Sequence, residues 1–146
     1  MSIHFYKEKG VYGFLATYAP YGFYADGIYW KTSEHYYQAQ KFFDNDIKLK
    51  IASAETPKMA SEIGRNRKYS IRENWDEIRA DVMYEAVLLK FLANPDIAIL
   101  LLATQNETII EDTEKESYWG CGPNKDGQNV YGKILCRVRD DLRKMQ

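Results

Sequence analysis

The feature that most constrains the fold is an amphipathic segment that runs without interruption from about Arg72 to Ala93. Its apolar residues recur every three or four positions, as on a helix with one buried face. Asn94-Pro95 then ends this helix and starts another, because proline interrupts a helix but fits its first turn. The sequence therefore predicts its longest helix here. Its buried face consists of Trp75, Ile78, Val82, Ala86 and Leu89.

Shorter patterns predict strands and a hairpin. Residues 3–6, 11–15 and 107–111 have the composition of short strands. Residues 23–30 predict a hairpin that turns at Asp26-Gly27, a dipeptide that accepts the positive φ angles of a tight turn.

Start and stop signals predict three further helices. Thr32 or Ser33 can cap a helix that contains Glu34. Residues 57–64 are framed by a threonine cap, a proline at the first position and a glycine stop. The last helix buries Ile134, Val138 and Leu142.

These elements predict one compact, helix-rich α+β domain over residues 1–146, with a small β component formed by the N-terminal strands and the hairpin. No internal repeat and no linker divides the chain.

Composition limits the classes of function. Lys and Arg total 20 against 21 Asp and Glu, so no extended nucleic-acid-binding surface is expected, although recognition of one modified nucleotide stays open. No apolar run reaches signal-peptide length or the ~20 residues that span a bilayer, so we expect a soluble, cytoplasmic protein without membrane contact. Two separated cysteines and two histidines disfavour a zinc site or a catalytic thiol, so no cofactor is expected.

The stretch from Thr32 to Phe43, TSEHYYQAQKFF, gathers ionisable, amide and aromatic side chains in one predicted helix. At about 100° per residue, Glu34, Gln38 and Lys41 share one stripe, beside a face that contains His35. Such an array forms either the floor of a site or a solvated helix face, and spacing alone favours the solvated face. For His35, a packed histidine bonded to the backbone is favoured over a ligand contact.

Aromatic residues make up 14% of the chain, including 12 Tyr, and many of them crowd into its first quarter. Most aromatic residues fill cores, but a flat ring with a polar edge can also stack on a heterocycle. The candidates for stacking are Tyr12, Phe14, Tyr18 and Trp30.

Residues 112–131 predict a long loop, rich in Gly, Asn and Asp, with Tyr118 and Trp119 ahead of its glycines. Long loops in compact domains are commonly functional or disordered, and the aromatic pair argues against disorder. A helix start at Gly132-Lys133 would offer backbone N–H groups to a phosphate. A plain structural loop is an equal alternative.

These segments, in their order and spacing, resemble the NADAR (YbiA-like) family over almost the whole chain. The resemblance implies a compact, helix-rich α+β fold and an N-glycosidase-type hydrolase that acts on a ribosylated base. Two activities are associated with the family: hydrolysis of early, phosphorylated ribosylamino-pyrimidine intermediates of riboflavin synthesis, and removal of ADP-ribose from guanine in nucleic acid. The matching segments are YGFLATYAP, DGIYWKTSEHYYQAQKF, GRNRKYSIRENWDEIRADVMYEAVLLKF and ESYWGCGPNKDGQNVYGKILCRVRDDL.

The resemblance also implies roles for individual residues. Glu34 matches the family's acidic position, and Lys41 matches the lysine that ends the same motif. Glu116 stands where the family usually has Asp. Thr17 lies in a segment where the family's Phe-Leu-Ser-Asn-Phe is Phe-Leu-Ala-Thr-Tyr, and the lost Asn amide leaves the choice between the two activities open. The ligand-binding residues implied are Arg65, Trp119, Gly120, Asn129, Gly132 and Lys133.

The chemistry of the bond explains these residue types. Breaking the bond between ribose C1 and a base nitrogen develops positive charge on the sugar, which a carboxylate stabilises, while a proton donor helps the base leave. Glu34 is the expected acid/base and Glu116 the second carboxylate. Lys41 is expected to act electrostatically or, as a neutral amine, to form a Schiff base with ring-opened ribose. The alternative is a non-catalytic sensor of ADP-ribose or a related nucleotide, which would release no base.

Overall fold

The computed structural model describes residues 1–146 and confirms the α+β fold class, with six α-helices and four short strands. None of the helices combines the length and the apolarity needed to cross a bilayer. The strands are β1 (Ser2–Phe5), β2 (Phe23–Ala25), β3 (Ile28–Trp30) and β4 (Thr108–Glu111). The helices are α1 (Ser33–Ala39), α2 (Asn45–Ala52), α3 (Pro57–Gly64), α4 (Trp75–Ala93), α5 (Pro95–Leu102) and α6 (Val130–Lys144).

The strands form two separate two-stranded sheets. β2 and β3 form the predicted antiparallel hairpin, whose turn residues Asp26 and Gly27 have φ angles of 55° and 77°. β1 and β4 pair in parallel, with Phe5 opposite Glu111. Because the pairing is parallel, both strands end at the same edge, and the carboxylate of Glu111 belongs to that edge.

The long helix α4 lies between two apolar clusters. The larger cluster joins α4 to β1, β4 and α6 and includes Phe5, Val87 and Leu135. The smaller one lies under the hairpin and against α1, α2 and α3, and includes Trp30 and Ala86. Full burial of a large apolar side chain contributes about 1.5–3 kcal/mol. The two clusters therefore fix the elements that carry the polar side chains between them.

Threonine caps set the beginnings of two helices where the sequence predicted them. Thr32 accepts a hydrogen bond from the backbone N–H of His35 at 3.2 Å at the start of α1. Thr56 accepts one from the N–H of Met59 at 3.1 Å at the start of α3. Each cap satisfies a backbone donor that the helix itself leaves free, which is worth about 1 kcal/mol.

The strand predicted over residues 11–15 is wrong. This segment contains a 3-10 turn at Gly13–Leu15, closed by hydrogen bonds from Leu15 N–H to the Tyr12 carbonyl and from Ala16 N–H to the Gly13 carbonyl. The local composition predicted a strand, but no neighbouring strand pairs with this segment.

Two predicted helix boundaries are also wrong. The helix that starts after Thr32 ends at Ala39, because the N–H groups of Lys41 and Phe42 bond only three residues back and tighten the chain out of the helix. α6 starts at Val130, so Gly132 lies inside its first turn rather than at its start. The sequence also failed to predict α2, which is capped by the side chain of Asp44.

Candidate active site

A cavity of about 610 Å³ lies between α1, α3, the end of β4 and the loop that follows it. This volume is in the range of small-molecule sites, roughly 300–1,000 Å³. Both acidic and basic side chains line it. Of the residues that the sequence predicted as catalytic or ligand-binding, those lining the cavity are Tyr18, Glu34, Gln38, Arg65, Glu116 and Trp119.

Glu34 is a buried carboxylate in the first turn of α1, with only 6% of its surface exposed. Its Oε1 atom accepts a hydrogen bond from Thr17 Oγ1 at 2.9 Å. Its Oε2 atom accepts from Gln38 Nε2 at 2.7 Å and from Ser61 Oγ at 3.2 Å. The side chain is thus held by donors on both oxygens, which fixes its orientation in the cavity.

Thr17 stands where the family pattern has Asn, and it bonds to the start of α1 through both its backbone and its side chain. Its backbone carbonyl accepts from the N–H of Glu34 at 3.3 Å and from Ser33 Oγ at 3.3 Å, while its hydroxyl donates to the carboxylate. The carbonyl and the hydroxyl of Thr17 therefore both join the segment that follows the 3-10 turn to the start of α1. In this chain the threonine positions the acid.

Aromatic rings form one wall of the cavity. Trp119 meets Tyr37 edge-on, with ring centroids 5.8 Å apart, and Tyr37 in turn packs against Trp75 at 5.2 Å. The guanidinium of Arg79 lies 3.8 Å from the ring centroid of Tyr118, which touches Trp119 edge-on. Burial raises the pKa of Tyr37 well above its usual value, so its hydroxyl stays protonated. The wall is rigid and offers a ring surface to a flat ligand.

Four exposed cations lie at the rim, on three different parts of the chain. Lys58 and Arg65 belong to α3 and its C-terminal cap, and Lys7 and Lys115 belong to the loops that follow β1 and β4. The exposed carboxylate of Glu116 shares this rim. The cavity therefore has an acidic floor at Glu34 and basic groups near its mouth.

Lys41 lies outside both α1 and the set of side chains that line the cavity. Its amine donates to the carbonyl oxygen of Gly64 over a long 3.4 Å. Burial lowers its pKa, the nearby Arg65 lowers it further, and Glu34 raises it. The predicted continuous helical stripe from Glu34 to Lys41 is thus wrong, although the amine stays within the electrostatic reach of the carboxylate.

Four other predicted ligand contacts lie outside the cavity. Phe14 and Trp30 are buried, and the indole of Trp30 donates to the Ala25 carbonyl at 3.2 Å. Tyr12 packs against the larger cluster and does not line the cavity. His35 is fully buried, its Nε2 donates to the Ala54 carbonyl at 3.0 Å, and burial lowers its pKa. The favoured interpretation of His35 as a packed, backbone-bonded residue fits this geometry.

The predicted phosphate cradle at the start of α6 is also absent from the cavity. The side chain of Asn129 bonds instead to β4, with its Nδ2 on the Ile109 carbonyl at 2.8 Å. Gly132 lets the helix approach that same carbonyl, and Gly120 packs its α-carbon beside Thr113 and the Glu111 carbonyl. Lys133 is exposed and outside the cavity.

The sequence patterns did not indicate two ionisable residues, of which Glu111 is half-buried and Lys90 is fully buried. Glu111 lines the cavity, and burial together with the charges of Glu116 and Glu34 raises its pKa to about 7. Lys90 of α4 is fully buried; its amine donates to the carbonyls of Phe14 at 2.5 Å and Ala16 at 2.9 Å, and burial lowers its pKa to about 7. For Glu111 the available signal was a carboxylate at the end of a predicted strand.

Comparison with known proteins decides the family. A model of the NADAR domain matches residues 4–143. The chain belongs to the NADAR family. An N-glycosidase of Nostoc punctiforme is 43% identical to this NADAR protein over 148 residues, which cover 99% of this chain and 95% of that protein.

A solved structure supports the same family fold. The NMR structure of YbiA from Escherichia coli matches with a TM-score of 0.90 at 36% identity, covering 99% of this chain and 86% of that one. A riboflavin biosynthesis protein of Vibrio vulnificus is 39% identical over 140 residues, and this NADAR chain spans 38% of its length. The NADAR protein described here is an N-glycosidase.

Proposed function

We propose that the cavity hydrolyses the bond between C1 of a phosphorylated ribose and a nitrogen of a flat heterocycle. The observation that carries this proposal is the carboxylate of Glu34, buried at the cavity floor and held by three hydrogen-bond donors. Cleavage of the C1–N bond leaves positive charge on the sugar, and a fixed carboxylate in a water-poor site stabilises that charge strongly. Phosphorylated ribosylamino-pyrimidines are the proposed substrate class, because a relative is a riboflavin biosynthesis protein.

The surroundings of Glu34 support a substrate with three different parts. The ribose would lie over Glu34, and the heterocycle would pack against Trp119 on the aromatic wall. The phosphate would meet Lys58 and Arg65 at the rim, where a guanidinium can bind two phosphate oxygens at once. The exposed carboxylates of Glu8, Glu62 and Glu116 also line the cavity, so direct contact with Lys58 and Arg65 would orient the phosphate.

ADP-ribosylated guanine is the second candidate substrate. The rim carries four cations, and four cations suit a diphosphate better than a single phosphate; they are Lys7, Lys58, Arg65 and Lys115. The near-neutral net charge of −1 disfavours long contacts along nucleic acid. Binding would therefore be confined to the modified nucleotide.

Side-by-side incubation with a phosphorylated ribosylamino-pyrimidine and with ADP-ribosylated guanine DNA tests the proposal. Mass detection of free base and free sugar should show release of both products from the ribosylamine, and more slowly or not at all from the DNA. Thermal stabilisation by ADP-ribose, with no base released from either substrate, would identify a binding module instead and contradict the proposed activity.

Lys41 is proposed to attack C1 of the ring-opened sugar and form a Schiff base. Burial lowers the pKa of Lys41 and so favours the neutral amine that this step needs, and its long bond to the Gly64 carbonyl is weak enough to break. Borohydride added during turnover should therefore leave a covalent sugar phosphate on Lys41, detectable by peptide mass spectrometry. The variant Lys41→Arg serves as the control and should show no adduct. An unmodified Lys41 together with full activity of Lys41→Arg would rule out the covalent route.

A further inference from the structure

Glu111 is the last residue of β4, and its backbone is held on both sides. Its N–H donates to Asn129 Oδ1 at 3.0 Å, and its carbonyl accepts from the N–H groups of Cys121 at 3.0 Å and Thr113 at 3.1 Å. Its side chain lines the same cavity as Glu34. The backbone that carries this carboxyl group is therefore fixed beside the cavity.

Three residues that the sequence placed in the ligand site converge on this strand end instead. The side chain of Asn129, whose own φ is 51°, bridges β4 by accepting from Glu111 N–H and donating to the Ile109 carbonyl. A methyl group on Gly132 would clash with that Ile109 carbonyl, and one on Gly120 would lie 2.6 Å from the Glu111 carbonyl. The loop and α6 are thus packed tightly around the backbone that presents Glu111.

The charges around Glu111 come from several elements. Glu34 of α1 and Glu116 of the loop after β4 are both acidic and both act on it. Tyr131 of α6 also lines the cavity, and its hydroxyl donates to the Leu15 carbonyl. The other ionisable groups that line the cavity are Tyr6, Lys7, Glu8, Tyr18, Tyr37, Lys58, Glu62, Arg65 and Lys115. Burial is the largest influence and, with the two acids, raises the pKa of Glu111 to about 7.

Glu34 and Glu111 therefore occupy opposite environments within one cavity. Glu34 is buried and accepts hydrogen bonds on both oxygens, whereas Glu111 is half-buried and faces the negative charges of Glu116 and Glu34. Two carboxyl groups whose surroundings differ in this way divide the roles of proton donor and charge stabiliser in enzymes that cleave glycosidic bonds.

We propose that Glu111 is the general acid that protonates the leaving base, an inference that rests on the proposed function. The proton of its carboxyl group passes to the base nitrogen as the C1–N electron pair departs with the base. The oxygen of water, or the amine of Lys41 in the covalent route, forms the new bond to C1 and loses a proton to Glu34. Water releases the sugar in the covalent route, and proton exchange with solvent returns both carboxyl groups to their starting states.

The variant Glu111→Gln separates this role from a structural one, because glutamine keeps the shape and polarity of the neutral acid. With a ribosylamino-pyrimidine phosphate, kcat/KM should fall by about 100- to 1,000-fold. With a nitrophenyl ribose 5-phosphate, whose leaving group departs without a proton, the loss should be smaller than about fivefold. Equal losses on both substrates would overturn the assignment.

The pH profile of the unmodified protein supplies a second measurement that does not depend on the folding of a variant. A proton donor acts only while protonated, so kcat/KM for the ribosylamine should decline as pH rises through about 7. Glu116→Gln removes one of the two acids that act on Glu111 and should shift this decline to lower pH. If the decline occurs at the same pH in Glu116→Gln as in the unmodified protein, the proposal is contradicted. If the unmodified protein releases no base at any pH, the proposed function itself fails.

Discussion

Replacing Glu34 by glutamine is expected to lower kcat/KM for the ribosylated base by about 10³-fold, with the protein still folded. Glutamine is neutral, so it offsets no positive charge at C1 and takes no proton. Its NH₂ group would also face one of the three donors that now bond to the carboxylate. The resulting donor–donor conflict should reduce the free energy of unfolding by about 1–3 kcal/mol.

Base release by mass spectrometry and urea unfolding together check this expectation. Glu77→Gln is the matched control, because Glu77 is an exposed residue of the first turn of α4 and lies outside the cavity. The control should keep its activity within about twofold. Full activity of Glu34→Gln on every ribosylamine and ADP-ribosyl-guanine substrate would show that Glu34 is not the reacting carboxylate.

Gly132→Ala is expected to reduce the free energy of unfolding by about 3 kcal/mol, which is a large cost for one methyl group. The added carbon would clash with the backbone carbonyl of Ile109 and with the amide of Asn129. Neither can move freely, because each is bonded to the other and Ile109 lies in β4. Helix propensity alone predicts the opposite sign, a gain of about 1 kcal/mol for alanine over glycine.

Urea unfolding of Gly132→Ala beside Lys133→Ala measures this cost. Lys133 is the next residue of the same helix and is exposed, so its replacement should change stability by less than about 0.5 kcal/mol. Gly132→Ala should also lose activity, because α6 pushed away from β4 would displace Glu111. If Gly132→Ala proves as stable as Lys133→Ala, glycine is not required at position 132 for the close packing of α6 on β4.

The parts of the fold that local sequence predicts are those set by local hydrogen bonds. The hairpin turn at Asp26-Gly27 and the caps at Thr32 and Thr56 depend only on neighbouring residues, and each lies where it was predicted. The strand predicted over residues 11–15 failed because a strand also needs a partner, which this segment lacks. The end of α1 at Ala39 failed because its last turns tighten without a glycine or proline to signal it.

The candidate site divides in the same way. Glu34 stands out because a carboxylate among aromatic residues on one helix is visible in a short segment. Glu111 becomes notable only once β1 and β4 pair and bring it to the cavity. Lys90 would be predicted from local sequence to face solvent. In the fold its amine donates to carbonyls that lie 74 and 76 residues away in the chain. Non-local packing sets the surroundings of both residues, and the periodicity of the sequence carries no information about it.

The most direct test of the account is a crystal structure of the Glu34→Gln variant with an intact phosphorylated ribosylamino-pyrimidine. We predict ribose C1 at about 3.5 Å from the side chain at position 34, the distance of a reacting pair. The heterocycle should lie against Trp119, and the phosphate should contact Lys58 and Arg65. A ligand bound outside this cavity, or a phosphate held at Gly132 and Lys133, would contradict the account.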